Sequence, residues 1–382
     1  MGRKGKILND TSRLGARRPG TRSAAVAALS AAVTAALALS LAACGSSPSS
    51  SSSSSSAGAA SGSSSSGSGS SAAAAPSPAN PTVLLDWFPN PDHASLYLAK
   101  SGGDFAAAGL SDVTLQAPSS NQDALKLVST GAFPLGISYE PNTINAVSQG
   151  LDVEAVAALI PTPLDTLLIS SKSGITSIAG LAGKKIGGYG DATSTAVLNT
   201  ILAKNGVDPK STQQIAVSEG LIPAMLTGNV QAIIGGYRNV EAIQLKLKGQ
   251  APVQFNVEDQ GVPFYDELVV VAKKSRLASD PGYAAMVKDF LAGLAKGDAA
   301  AQASSSGAIA ALKPQIKVGD YTDADLAAMI PVTVGLYKNP LGFGQMEASQ
   351  WQAFADWMLA NKLITKAVTG SEAETTAYLP AS

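Results

Sequence analysis

Val83-Leu84-Leu85-Asp86-Trp87-Phe88-Pro89-Asn90-Pro91-Asp92-His93-Ala94 opens a pattern that repeats along the chain. Val83–Asp86 is a short apolar run with strand character. Trp87 to Asn90 then interrupts it, and a helical stretch is expected from Pro91 to Ala108. A second β-rich run, Val113–Gln116, completes a strand–helix–strand unit. The alternation continues with expected strands at Leu135–Ser138, Val153–Leu159, Thr166–Ser170, Lys185–Tyr189, Gln214–Val217, Ala232–Gly235, Val253–Asn256 and Leu268–Ala272. Helices are expected between them at Gln122–Ser129, Asn142–Gln149, Thr193–Asn205, Leu221–Leu226 and Asn239–Lys248. Strands separated by helices predict an α/β fold with doubly wound, parallel sheets.

Two places read as crossings between lobes. Near Ser171 a polar link, Ser-Lys-Ser-Gly, leads through Ser177–Gly183 into a new strand. The chain would return at Gly261-Val262-Pro263. The expectation is lobe 1 from residues 82–171 plus 265–382 and lobe 2 from residues 172–264, joined by two crossover strands. Beyond about Lys273 the pattern is helical, with apolar residues at helical spacing in Pro281–Lys296, Ala324–Val334 and Ala348–Asn361.

The N-terminal region carries a different signal. Residues 1–22 hold seven basic residues and one acid, and a mostly apolar run from Ala24 to Ala43 follows. A basic region, an apolar region and small residues before a cut site make a secretory signal, here residues 1–43. Leu41-Ala42-Ala43-Cys44 resembles the lipobox of bacterial lipoproteins, which implies lipid on Cys44 and an anchor on the outer face of the cell membrane. A single transmembrane anchor is the other reading of that length. Cys44 is the one cysteine in the chain, so it has no disulfide or metal partner of its own kind. The Arg17-Arg18 pair leaves the export route open between the general and twin-arginine pathways. Residues 44–81 are rich in Ser, Ala and Gly and read as a tether. Without residues 1–43 the chain has 20 basic and 27 acidic residues, net −7. That excess argues against nucleic acid or anionic lipid as partners.

In open α/β sheets ligands sit outside the carboxyl ends of the strands. The segments placed there are Asp86–Asn90, Ser138–Asn142, Tyr189–Thr193, Ser218–Gly220, Gly236–Glu241 and Phe264–Glu267. They hold seven of the chain's 20 aromatic residues, and seven acids against one base, Arg238. An anion needs cationic groups or clustered N–H donors, so this set suits a sulfonate, nitrate or phosphate badly. Aromatic faces with carboxylates suit a flat ring bearing amines. The candidate ligand-binding residues are Trp87, Asn90, His93, Tyr139, Glu140, Tyr189, Tyr237, Glu241 and Tyr265. Each aromatic is also readable as an ordinary core residue. His93, the single histidine, is readable either as a ligand contact or as part of the helix start. Gly187-Gly188-Tyr189-Gly190 lacks the spacing of a dinucleotide or phosphate loop. No cofactor is expected.

Several of these segments together resemble one family. They are Leu85–Asn90 with His93 and Tyr97, Asp104–Leu110, Leu125–Leu127, Gly136–Pro141, Leu181–Gly187, Gly235–Glu241 and Gly261–Leu268. Taken in order, they are similar to the thiamine-pyrimidine-synthase-like substrate-binding proteins over about Val83 to Ala272. The resemblance implies a two-lobed periplasmic binding protein of the type with two crossover strands, type II. It implies a monomer that hands a thiamine pyrimidine precursor, such as formylaminopyrimidine or hydroxymethylpyrimidine, to an ABC permease with its cytoplasmic ATPase. A riboflavin-binding branch is the alternative, and more distant relatives take sulfonates or nitrate. Fungal members are enzymes that build the pyrimidine from their own histidine with iron. That branch has a histidine where this chain has Asn142, and a cysteine run that is absent here, so binding alone is expected. Glu241 matches a glutamate of pyrimidine-binding relatives, which makes it the expected reader of ring amines.

Overall fold

A computed structural model describes residues 80–119, 123–217, 220–317 and 319–381. The signal segment, Cys44, nearly all of the tether and the Ser218-Glu219 pair lie outside the described residues. Among the described residues ten strands form: β1 (Thr82–Leu84), β2 (Thr114–Gln116), β3 (Leu135–Ser138), β4 (Glu154–Ile160), β5 (Asp165–Ile169), β6 (Lys185–Gly188), β7 (Gln213–Ala216), β8 (Ala232–Tyr237), β9 (Val253–Asn256) and β10 (Leu268–Ala272). The α-helices are α1 (Ala94–Ser101), α2 (Asp104–Ala107), α3 (Ala124–Thr130), α4 (Glu140–Ser148), α5 (Ala192–Lys204), α6 (Leu221–Leu226) and α7 (Glu241–Leu247). After β10 come α8 (Lys274–Ser279), α9 (Pro281–Ala303), α10 (Ser305–Leu312), α11 (Asp323–Leu336), α12 (Ala348–Ala360) and α13 (Gly370–Ala373).

Two five-stranded sheets result, in the orders β2-β1-β3-β10-β4 and β7-β6-β8-β5-β9. Both are mixed. β10 runs antiparallel to β3 and β4, and β5 runs antiparallel to β8 and β9. Each sheet thus takes in one strand that arrives from the other lobe. The fold is the two-lobed, type II periplasmic binding protein architecture.

The first crossing differs from the sequence expectation. β5 lies inside the second sheet, between β8 and β9, so the chain crosses at residues 161–164 and not near Ser171. The apolar run of β5 is buried on both sides, and such a run carries no mark of which sheet it joins. The mark was Pro161-Thr162-Pro163, because proline cannot donate to a strand ladder. The return crossing spans residues 257–267 and includes the expected position, Gly261-Val262-Pro263.

The expected long helix Pro91–Ala108 is also divided. Pro91–His93 forms a 3-10 turn, and α1 ends before Gly103, whose φ of 75° suits glycine. On one face of the first sheet α1 packs against α9 and α10. Phe105 stacks on Phe290 with ring centroids 5.0 Å apart. A side chain at Gly297 would come within 2.4 Å of Ala99 Cβ, so α9 approaches α1 nearly backbone to backbone. On the other face α4, which packs beside α3, is backed by α12, whose Trp351 and Phe354 are buried. In the second sheet neighbouring residues alternate between faces. Leu167 and Ile169 join the large core cluster, while Leu168 faces Leu221, Met225 and Leu245 of α6 and α7.

This topology gathers strand ends. The register sets Asp165 opposite Tyr237, Leu268 opposite Ile160 and Val269 opposite Ser138. The carboxyl ends of β3, β4 and β8 therefore meet the amino ends of β5 and β10 at the crossing between lobes.

Candidate functional site

The lobe 1 side is built on the turn after β1. Asn90 caps the 3-10 turn: its Oδ1 accepts from Asp92 N at 2.8 Å and its Nδ2 donates to the Phe88 carbonyl at 3.1 Å. The cap sets His93, whose Nδ1 accepts from Asn90 N at 3.3 Å. Nε2 is then the protonated nitrogen, and it lies 2.8 Å from Asp86 Oδ1. The other Asp86 oxygen accepts from the Tyr139 hydroxyl at 2.6 Å. Burial works to raise the Asp86 carboxyl, but His93 and the Tyr139 hydrogen bond outweigh it and hold the group below the usual range. Burial first, and then the charge of Asp86, push Tyr139 well above the usual phenol range. Tyr139 is therefore a firm donor to a firm acceptor.

The lobe 2 side follows β8. Tyr237 Oη donates to Glu267 Oε1 at 2.9 Å, and Glu267 Oε2 accepts from Leu164 N at 2.6 Å. The site thus includes both crossings. Tyr265 Oη reaches Asp165 at 3.4 Å. Burial, followed by the like charge of Glu267, pushes Asp165 well above the carboxylate range. Glu241 Oε2 accepts from Tyr237 N at 2.8 Å, so this carboxylate closes its own turn at the start of α7. Burial raises it and that N–H opposes the rise. Arg238 is committed elsewhere, with Nη2 at 2.7 and 2.8 Å from the two Glu258 oxygens. Tyr189 is half exposed, and its ring lies on Gly235, where an added Cβ would come within 2.9 Å of Tyr189 Cε2.

One contact ties the lobes directly. Asn239 Nδ2 donates to Asp92 Oδ1 at 2.6 Å and approaches Thr333 Oγ1 of α11 at 2.9 Å. Burial lifts the Asp92 carboxyl to about 7, against the lowering effect of the Asn239 hydrogen bond. Among the described residues no group of three or more His, Cys, Asp or Glu is arranged to hold a metal ion. No helix of the described residues is long and apolar enough to cross a membrane.

Known proteins are similar to this chain in sequence and in fold. The family described as NMT1/THI5 like matches residues 90–308. The formylaminopyrimidine-binding protein of Halalkalibacterium halodurans is 30% identical over 297 residues, covering 76% of this chain and 88% of that protein. A protein of Haemophilus influenzae named as a putative thiamine biosynthesis protein is 32% identical over 296 residues, covering 76% and 90%. The chain belongs to the NMT1/THI5-like family. In fold it is also similar to the alkanesulfonate-binding protein SsuA from Xanthomonas axonopodis pv. citri bound to MOPS. The TM-score is 0.60 at 21% identity, covering 79% of this chain and 99% of that one.

In this NMT1/THI5-like chain the residues singled out from sequence separate into two groups. Tyr139, Tyr237 and Glu241 line the meeting of the lobes and keep partial exposure, while Trp87 and Tyr189 stand exposed on strand-end loops. The other four are turned inward. Glu140 is fully buried and accepts from Asp266 N at 2.7 Å and Gln350 Nε2 at 3.0 Å, so it braces α4 against α12. The Tyr265 ring packs on Phe354 in the core, with centroids 5.0 Å apart. His93 is fully buried with both ring nitrogens engaged, and the Asn90 side chain is spent on its cap. These four position other groups and leave little surface for a ligand. The sequence list lacked Asp86, Asp92, Asp165, Asn239 and Glu267. Asp86, Asn239 and Glu267 stand in the strand-end loops. Asp165 was hidden by the misplaced crossing. Tyr321, close enough to Glu241 and Asp92 to feel their charge, comes from a segment read only as helical.

Proposed function

We propose that this chain is the extracytoplasmic solute-binding lipoprotein of an ABC importer, and that it captures a flat nitrogen heterocycle of the thiamine pyrimidine precursor class. The observation that carries the reading is the electrostatic character of the cleft. Carboxylates and tyrosines converge there from both lobes and both crossings, and its single arginine is neutralised by Glu258. An amine-bearing ring finds acceptors in such a wall, while a sulfonate or nitrate finds like charge. Binding without catalysis fits the same groups. His93 is locked by Asn90 and Asp86 and so is not free to move a proton. The name of the Halalkalibacterium relative points to the same ligand class. The Asn239–Asp92 contact fits a closed state in which ligand holds the lobes together. Lipid on Cys44 would keep the body beside its permease.

Titration calorimetry against formylaminopyrimidine, hydroxymethylpyrimidine, riboflavin, taurine and nitrate tests the assignment. Tight binding of a pyrimidine with none of the anions is expected. Micromolar binding of taurine or nitrate would overturn the reading of the cleft. For the anchor, Cys44→Ser should release the protein from the membrane or leave it unprocessed. Unchanged partition into detergent after signal cleavage would overturn the lipoprotein assignment.

A further inference from the structure

Helix α11 belongs to lobe 1 by its packing on α9 and α10, yet it also packs on α7 of lobe 2. It meets the 3-10 turn Pro91–His93 as well. Two side chains fix what happens at that junction. Tyr337, at the C-terminal end of the helix, donates from Oη to the Asp92 carbonyl at 3.0 Å and lies 3.4 Å from Ser95 N. It ties the turn to the helix. Thr333, four residues earlier, gives its own proton to the Met329 carbonyl at 3.1 Å. Its Oγ1 therefore has only lone pairs left to offer.

The Asp92 carboxyl and Thr333 Oγ1 make a socket of acceptors on lobe 1. A carboxamide nitrogen has two hydrogens and can serve both at once. Asn239 does so from the turn between β8 and α7, at 2.6 Å to Asp92 Oδ1 and 2.9 Å to Thr333 Oγ1. All three side chains are buried, Asn239 and Thr333 completely. The socket is assembled within lobe 1, because Tyr337 and Met329 belong to it, so only Asn239 has to arrive. Asn239 Oδ1 is buried without a donor among the described residues. That offsets part of the gain and keeps the contact reversible.

Resting on the function proposed above, we propose that Thr333 and Asp92 form a latch for Asn239, which holds the lobes shut and sets how slowly the ligand leaves. Thr333 is a positioning residue that acts through Asn239 and not through the ligand. Contacts made only when the lobes meet shift the balance toward the closed form. A ligand that escapes through the open form then escapes more slowly, whereas capture by the open form changes little.

Stopped-flow binding of formylaminopyrimidine to the whole mature protein tests the latch. Thr333→Val keeps the shape and removes the acceptor. It should raise the dissociation rate about threefold to tenfold and leave the association rate within about twofold. Thr333→Ser should restore wild-type dissociation. Asn239→Leu should raise the rate at least as far. Adding Thr333→Val to Asn239→Leu should then raise it no further, because both remove one contact. Additive effects, or unchanged dissociation in Thr333→Val, would mean that Thr333 only supports its helix; the latch would fall and the cleft reading would stand. If Asn239→Leu melts well below wild type, Thr333→Val against Thr333→Ser decides alone, and equal rates sink the proposal. If wild type binds neither formylaminopyrimidine nor hydroxymethylpyrimidine, the function proposed above falls instead. Small-angle scattering of the ligand-free protein then tests the latch by itself. Thr333→Val should show a larger radius of gyration than wild type, and equal radii would refute the latch.

Discussion

The two lobes share one strand order, with the strand from the opposite lobe in the same place, yet they furnish the cleft differently. In lobe 1 the acceptor Asp86 is clamped by donors from two elements, His93 of the 3-10 turn and Tyr139 after β3. His93 is itself fixed by the backbone of Asn90. In lobe 2 Glu241 is held by a donor from its own turn, and Tyr189 rests half exposed on a glycine. One wall is set before a ligand arrives and the other can adjust to it. A preset acceptor fixes where the ligand lies, because no ordering is left to do on binding. An adjustable wall supplies the differential contact that draws the lobes together. Substitutions in lobe 1 should therefore disturb stability and binding together, whereas those in lobe 2 should disturb binding alone.

Asp86→Ala gives the largest expected effect. It leaves the buried His93 Nε2 and Tyr139 Oη donors without their acceptor, at about 1–3 kcal/mol each. Denaturant unfolding should show a loss of several kcal/mol, and ligand binding should fall with it. Wild-type stability in this variant would mean that the lobe 1 wall is not braced as described. Because Asp86 is held below the usual carboxylate value, its contribution is present above that value and is lost as pH falls through the lowered one. Asp86→Ala should accordingly cost less at strongly acidic pH than at pH 7.

Glu241→Gln comes next, and it probes the other lobe. The amide oxygen can still accept from Tyr237 N, so the turn should survive and the melting temperature should hardly move. An amine on the ligand would lose a charged acceptor, worth about 1.4 kcal/mol or a factor of ten in affinity. A large stability loss without a change in affinity would cancel the contrast between the lobes. Asn90→Ala returns to lobe 1 with a smaller effect. Losing the side-chain cap on Asp92 N costs about 1 kcal/mol and loosens the turn that carries His93, although the Asn90 backbone N–H still reaches Nδ1. Melting and affinity should both fall, whereas a cap without influence on the site would change melting alone.

The sequence was informative where one local rule decides. All ten strands were expected, and Leu135–Ser138, Val253–Asn256 and Leu268–Ala272 match to the residue. Apolar β-branched runs bounded by turn residues allow few other readings. Which sheet a buried strand joins is not a local property, so β5 was assigned to the wrong lobe. The site shows the same divide. Strand-end loops were identifiable, and Tyr139, Tyr237 and Glu241 lie in them. Whether a loop side chain faces the cleft or the core depends on what packs behind it. Glu140 and Tyr265 turn to the core for that reason, since their partners Gln350 and Phe354 of α12 come from far along the chain. Asp92 and Asn239, 147 residues apart, become partners only when the lobes meet.

That last pair gives the most selective expectation, one that shows only as a change with pH. Burial lifts the Asp92 carboxyl to about 7 in the folded protein, against 3.8 for the ordinary group. The folded state therefore binds a proton that the unfolded chain has released, and stability falls as pH rises between those two values. The contribution is complete below about 4 and is lost on approaching 7, the reverse of the Asp86 case. Asp92→Asn has nearly the shape of the protonated acid, and its carbonyl can accept from Asn239 Nδ2. At pH 4 the variant should match wild type closely. At pH 8 it should be the more stable of the two, because wild type then holds a charge in a buried contact between lobes. Asp266 and Glu374 are also lifted to about 7, each chiefly by burial. The variant's stability should therefore fall less steeply with pH, without becoming flat. Unfolding free energies measured from pH 4 to pH 8 decide it: identical slopes for wild type and variant would mean that the carboxylate at the meeting of the lobes is solvated, and that Asn239 does not seal the closed form there.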